Sequence, residues 1–375
     1  MLQSPILSAA ARPSAEVEQL LDIAVRGLHR MFDEKAELFC DRLVKDGDGW
    51  KQQGISPRYS LMSYLGLHEA EKAGMRTGFD AADLTRKIAK NLKWLTNLGD
   101  LGCLLWAVAE STPGGVASLW LRLNPETALD RFADGKNGAT MELAWFLTGL
   151  ARANVAAPSL PGLQAIAEDT YERLMKNRGA SGLFGHLSRK AGFHGAIRGH
   201  IGSFADQVYP TIAMALVSQS FARRDALDVA LTTARKICSL QGPLGQWWWH
   251  YNSDRGTVVS TYPVYSVHQH AMGPMMLFAA MDASGEDFST SILKGLEWIG
   301  ANELGIDMRE MTAPLVWRAI AQTTTGKWKT RVTATISPES AVRTTPGKLS
   351  LVAECRPYEL GWMIYAWSRR CRTAR

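Results

Sequence analysis

Six times along this 375-residue chain an amphipathic helical stretch is followed by one that is apolar or small on nearly every face. The second kind falls at 58–73 (RYSLMSYLGLHEAEKA), 99–110 (GDLGCLLWAVAE), 138–151 (GATMELAWFLTGLA), 204–221 (FADQVYPTIAMALVSQSF), 265–281 (YSVHQHAMGPMMLFAAM) and 358–370 (YELGWMIYAWSRR). Its amphipathic partners fall at about 15–43, 81–97, 116–132, 160–177, 226–240 and 288–301. A helix that is apolar all round must be buried all round, and an amphipathic one can cover it from outside. Repetition of such a unit is the signature of an array whose units bury one another's faces. The pattern therefore predicts an all-α chain, with six inner and six outer helices in two concentric rings. Gly, Ala and Ser on the inner set let neighbouring backbones approach closely.

Such a ring accommodates a length that would otherwise suggest two domains. The expected organisation is a frayed tail over 1–14, then one toroidal domain over 15–375 with an insertion at about 303–355. Hydrophobic residues make up 46% and charged residues 21%, which suits a large core. Three connections exceed a simple turn: 179–203, rich in Gly and His; 242–262, rich in Trp and Gly; and 302–356. Within the last, 315–321 and 327–336 carry β-branched, alternating character, so a small β-hairpin is expected near 315–336. Pro338 to Lys348 reads as an exposed loop. A long loop in a compact domain is usually functional.

No run of about 20 residues is free of polar groups, so no membrane span is expected. Residues 1–13 lack a basic leader and a cleavage pattern, which points to the cytoplasm. The five cysteines, Cys40, Cys103, Cys238, Cys355 and Cys371, are odd in number and show no CxxC or Cys/His spacing. They read as free thiols packed as small hydrophobes. The formal net charge of +6 is dispersed except for the C-terminal arginines. Dispersed charge argues against nucleic acid and suits an anionic small molecule or acidic glycan. No nucleotide loop, redox fingerprint or metal motif is visible, so neither a cofactor nor a metal is expected.

The pattern resembles the (α/α)6 toroids, of which two groups share the shape: the six-hairpin glycosidase-like proteins, and the terpenoid cyclases with the protein prenyltransferases. The turn Gln241-Gly-Pro-Leu-Gly245-Gln-Trp247 resembles the glutamine–tryptophan repeat of triterpene cyclases. The segments Asp46-Gly-Asp-Gly49-Trp50 and Ser181-Gly-Leu-Phe184 are similar to turns of six-hairpin glycosidases. The Asp-rich acid motif of triterpene cyclases, the diphosphate-binding Asp cluster and the prenyltransferase zinc set are missing. The resemblance therefore implies a glycosidase-like enzyme first and a cyclase second.

In a toroid the N-terminal ends of the inner helices share one mouth with the long loops. That geometry selects Arg58 and Tyr59, Asp100, Glu142, Asp206 with Gln207 and Tyr209, His268 and His270 after Tyr262 and Tyr265, and Glu359 flanked by Arg356 and Tyr358. An acidic first-turn residue also complements the helix dipole, so any one of these could be a cap. Several carboxylates in one funnel repel unless paired or protonated. Paired carboxylates are what glycoside hydrolysis needs. The expected catalytic pair is Asp206 with Asp100 or Glu359.

The expected substrate contacts are Trp248, His250, Tyr209, Tyr262, His268, His270, Arg58, Arg356 and Glu142. The run Trp247-Trp-Trp-His250 cannot point every indole into one core, and an indole face can stack on a sugar. His268 and His270, two apart on a helix, point in different directions; one is expected at the funnel and the other in the core. The leading reading is a hydrolase acting on a glycan in the central funnel. The alternatives are a terpene-type enzyme with an aromatic cavity, a lyase on uronic sugars using Tyr262 or His268 with Arg58 and Arg356, and a toroid that binds a glycan without catalysis.

Overall fold

A computed structural model describes residues 15–133, 138–188, 190, 195, 198–322 and 347–371. The expected tail and the 327–336 strand lie outside them. The inner helices are α2 (Pro57–Lys72), α4 (Leu98–Ser111), α7 (Thr140–Ala156), α9 (Ala205–Ser220), α11 (Gly273–Ser284) and α13 (Pro357–Cys371). The outer helices are α1 (Ala15–Met31), α3 (Ala81–Ile88), α5 (Val116–Leu123) with α6 (Pro125–Phe132), α8 (Leu163–Met175), α10 (Arg224–Ser239) and α12 (Ser289–Glu297). Each inner helix packs on the next, and α13 returns to pack on α2 and α1, so the ring closes. None of the described helices is long and apolar enough to cross a membrane.

Local chemistry sets where the inner helices start. Ser56 accepts the Tyr59 N–H ahead of Pro57, and Asn97 accepts the Asp100 N–H at 2.9 Å. Both are N-cap residues, and Pro57 is pre-shaped for the first turn of α2. Between neighbouring inner helices, glycine allows backbone contact. A Cβ on Gly102 of α4 would run into the Trp145–Phe146 backbone of α7, and one on Gly66 of α2 would run into Gly361 of α13. The core is continuous around the ring, with Trp106, Trp247, Trp298 and Trp362 among its largest fully buried side chains.

Three expected helices are shorter than their apolar periodicity suggests. The first ends at Met31 instead of running to residue 43. Asp33 accepts the Ala36 N–H and turns the chain, so Phe32–Asp33 pairs with Leu38–Phe39. Phe39 and Leu43 are still buried, but from strands. Gly49 and Trp50 lie in a strand, Gly49–Gln53, paired with Arg42–Asp46, and not in a turn after an outer helix. The second outer helix, expected over 81–97, stops at Ile88. The stretch at 116–132 is broken at Asn124, which adopts the left-handed conformation ahead of Pro125 (φ 44°). The strand expected at 315–321 is present as Leu315–Val316 and Ala319–Gln322. The latter pairs with Leu349–Val352 and with Val264–Tyr265.

The far ends of the inner helices carry an ion network around two buried carboxylates, Glu69 and Glu110. Arg152 of α7 meets Glu110 of α4 at 2.9 Å, and Arg369 of α13 pairs with Glu69 of α2, which also holds Lys72 at 3.2 Å. All five groups sit near helix C-termini, where cations offset the dipole. The inner helices are thus parallel, and their N-termini open on the opposite face.

Candidate active site

The first turns of α2, α4, α7 and α9 build one wall of that open face. Arg58 Nε donates to Asp100 Oδ1 at 2.5 Å, and Asp100 Oδ2 accepts the Thr96 N–H and hydroxyl, each at 2.9 Å. Asp206 Oδ2 accepts the Ser203 N–H and hydroxyl, each at 2.8 Å, and lies 3.4 Å from His186 Nδ1. Glu142, in the first turn of α7, is near enough to feel Arg58, Asp100 and His186. Burial raises its carboxyl pKa, and the Arg58 charge only partly opposes this. The Asp206 carboxylate raises the pKa of His186.

The opposite wall comes from α13 and the 302–356 connection. Arg318 NH1 donates to Glu359 Oε1 at 2.8 Å, and the Arg356 N–H donates to Glu359 Oε2 at 3.1 Å. Burial raises the Glu359 pKa against the pull of Arg318. Arg318 also lies over the Tyr265 ring at 5.0 Å, and the Arg356 guanidinium donates to the Tyr59 hydroxyl at 2.9 Å. Pairing of Ala319 with Tyr265 brings Arg318 here.

Between the walls is a cavity of about 200 Å³ lined by Arg58, Tyr59, Trp145, Tyr209, Trp249, Tyr265, His268, Arg318 and Tyr358. A second, of about 280 Å³, shares Arg58 and Tyr59 and adds Trp94 and Asp100. Asp100 lines the second cavity and meets the first through Arg58, and Glu359 meets it through Arg318; Glu142 and Asp206 are not among the residues lining either. Arg58, Tyr209 and His268 line the cavity, and Arg356 backs it through Tyr59.

Trp248 and Tyr262 pack on each other away from the cavity lining, 6.4 Å apart, and Tyr262 donates to Glu303 at 3.1 Å. Of these three indoles the one at the cavity is Trp249, whose ring lies 4.7 Å from that of His250. Trp247 is buried and stacked on Phe204. Sequence reasoning passed over Trp249, Trp145 and Arg318. The period-2 alternation of an extended chain turns 247 and 249 one way and 248 the other, which is the signal that could have found Trp249.

His268 and His270 lie in a π-turn, His268–Met272, that leads into α11. His270 is buried in the core, where its carbonyl accepts the Trp367 indole N–H at 2.7 Å. Burial lowers the pKa of both histidines to about 3. The folded pKa lies below the unfolded value, so the stabilisation is present above about pH 6.5 and is lost as pH falls toward 3. Each histidine is expected to add up to about 1.4 kcal/mol per pH unit to the acid loss of stability. Denaturant titrations between pH 7 and 5 measure this. His270→Gln should remove one histidine's share of the slope; an unchanged slope would show that His270 is not held neutral.

No protein-family model and no curated protein matches the sequence. Solved structures do match over nearly the whole chain. An unsaturated glucuronyl hydrolase specific for heparin is 12% identical, with 95% of this chain and 96% of that one covered and a TM-score of 0.58. The unsaturated glucuronyl hydrolase of Bacillus sp. GL1, described as responsible for glycosaminoglycan degradation, is 15% identical, with 96% of each chain covered and a TM-score of 0.59. A sugar epimerase from a ruminal bacterium is 11% identical over 95% and 98%, with a TM-score of 0.62. The fold is the (α/α)6 toroid of the six-hairpin glycosidases. Small strands decorate the open face of this toroid, and the candidate site lies where they meet the inner helices.

Proposed function

We propose that this protein is a carbohydrate-active hydrolase that takes the acidic terminal sugar of an oligosaccharide into the funnel and cleaves the bond behind it. The observation that carries this is an aromatic-lined cavity bearing Arg58 and Arg318, with first-turn carboxyls behind it: Asp100 on Arg58, and Glu142, whose pKa burial raises within reach of Arg58, Asp100 and His186. Glycoside cleavage needs one carboxyl group that holds its proton and a second that stays ionised. Glu142 supplies the proton. Asp206 or Asp100, each held by hydrogen bonds to its oxygens, supplies the partner carboxylate. Water adds across the cleaved bond, so no other reactant is required.

The small cavity suits one sugar ring, and the neighbouring cavity beside Trp94 offers room for the next. Arg58 and Arg318 favour a uronate carboxylate. The same two cations disfavour the terpene-type reading, because a carbocation gains from aromatic faces but is repelled by guanidinium groups.

The toroids of the glucuronyl hydrolases support a sharper choice of substrate. One of them was solved with dGlcA-GalNAc6S bound. That unsaturated disaccharide is the first probe, because cleavage and opening of its unsaturated sugar remove an ultraviolet absorbance. Steady loss of absorbance with release of the second sugar is expected. Saturated glucuronides should react much more slowly. Binding without turnover would favour a glycan-binding toroid. Inversion of a sugar centre without cleavage would favour an epimerase.

A further inference from the structure

A separate cavity of about 650 Å³ lies beyond the end of α8, on the loop that also carries His186 to the mouth. Lys176, Arg178 and Lys190 line it, against one carboxylate, Asp254. Arg178 is unlike its neighbour on the same stretch. Arg173 is matched by Asp169 at 2.7 Å and Asp130 at 3.1 Å. Among the described residues no carboxylate pairs with Arg178, and its Nε is buried without a hydrogen-bond partner. Burial lowers its pKa, with only the Tyr171 phenol acting against that. Gly182, in the left-handed region at φ 88°, leaves room for the guanidinium; a Cβ there would stand 3.1 Å from NH2.

A buried guanidinium N–H with no acceptor is costly, and an oxyanion is its natural complement. The cavity's size adds a second constraint. It falls within the roughly 300–1,000 Å³ of small-molecule sites, and a bare phosphate or sulfate would leave most of it to water.

We infer that this cavity is a second binding site, distinct from the funnel, for a sugar-sized organic anion bearing a phosphate or sulfate ester. The ester group sits on Arg178, with Lys176 and Lys190 at the rim. The polar body of the ligand fills the remainder, beside Asn177, whose Oδ1 is buried with no partner among the described residues. Phosphate and sulfate esters share this chemistry, so both must be tried.

The test is calorimetric titration of the full chain with glucose 6-phosphate, glucose 6-sulfate, inorganic phosphate, inorganic sulfate and glucose. One ester is expected to bind at one site per chain, more tightly than either inorganic ion and far more tightly than glucose. Its affinity should fall as salt rises. Arg178→Gln should weaken it by about tenfold or more, the loss expected for one charge-assisted contact. Arg58→Gln, in the funnel, should leave it unchanged.

Binding lost in Arg58→Gln but kept in Arg178→Gln would overturn the assignment, as would the absence of any ester binding. An inorganic ion that binds as tightly as its ester would overturn the sugar-sized ligand. If Arg178→Gln does not fold, Lys176→Gln at the exposed rim decides. It should weaken the ester several-fold and flatten the salt dependence, and no effect would refute the site. Each outcome is read by binding alone, so it stands whether or not the funnel proves to be hydrolytic.

Discussion

Glu142→Gln is expected to lower turnover of the unsaturated disaccharide by about 10²- to 10⁴-fold, the range for loss of a positioned proton donor. The fold and KM should be nearly unchanged. Glutamine preserves the shape and removes only the proton that can be transferred. The pH profile gives the sign independently. Burial raises the Glu142 pKa, so the donor form persists above the usual carboxyl range and is lost as pH rises through the raised value. The wild-type rate should therefore fall on the alkaline side, and Glu142→Asp, which keeps a donor but withdraws it, should keep that limb at a lower plateau. The same loss in Asp206→Asn with none in Glu142→Gln would transfer the donor role to Asp206.

Gly361→Ala is expected to be among the damaging single-methyl changes in the ring. A Cβ on Gly361 would stand 2.6 Å from the Ser63 Cα and 3.1 Å from the Met62 carbonyl oxygen, both on α2. Both obstacles are backbone, so neither can swing away as a side chain does. The cost should reach or exceed the upper end of the roughly 1–3 kcal/mol seen when cores are overpacked. Chemical denaturation measures it. Gly114→Ala is the matched control, because its Cβ would meet open space; it should stay within about 0.5 kcal/mol of wild type. Equal effects of the two substitutions would mean that α2 and α13 part more easily than their contact suggests.

The ring itself was legible because burial on all sides leaves a mark on every residue of a helix. No partner need be known to see that 138–151 or 204–221 must be covered. The converging first turns followed from the same reasoning, since six parallel inner helices share one mouth. What could not be read depended on contacts between distant segments. Arg318 reaches the funnel only because Ala319 and Ile320 pair with Tyr265 and Val264. Trp248 was chosen over Trp249 because the direction of an extended run is set by which residue is anchored. Here the anchor is the Trp247 N–H, which donates to Gln269 at 3.1 Å. The strands at 32–53 were hidden for a different reason. Leu38, Phe39 and Leu43 satisfy a helical spacing, and a single side-chain turn at Asp33 overrides it.

The contact of α13 with α1 and α2 also sets an order of events in the cell. A chain leaves the ribosome from one end, and α2 is complete some 285 residues before α13 begins to appear. At typical synthesis speeds of about 5–20 residues per second, the first hairpin waits roughly a quarter of a minute to a minute for its last neighbour. During that interval the arc of hairpins already made has two raw apolar flanks, and either can seize another growing arc. Those flanks are covered only when the last helix, ending at Cys371, has emerged. Slow translation between α2 and α13 would lengthen the exposure, whereas rapid completion of the final helix would end it.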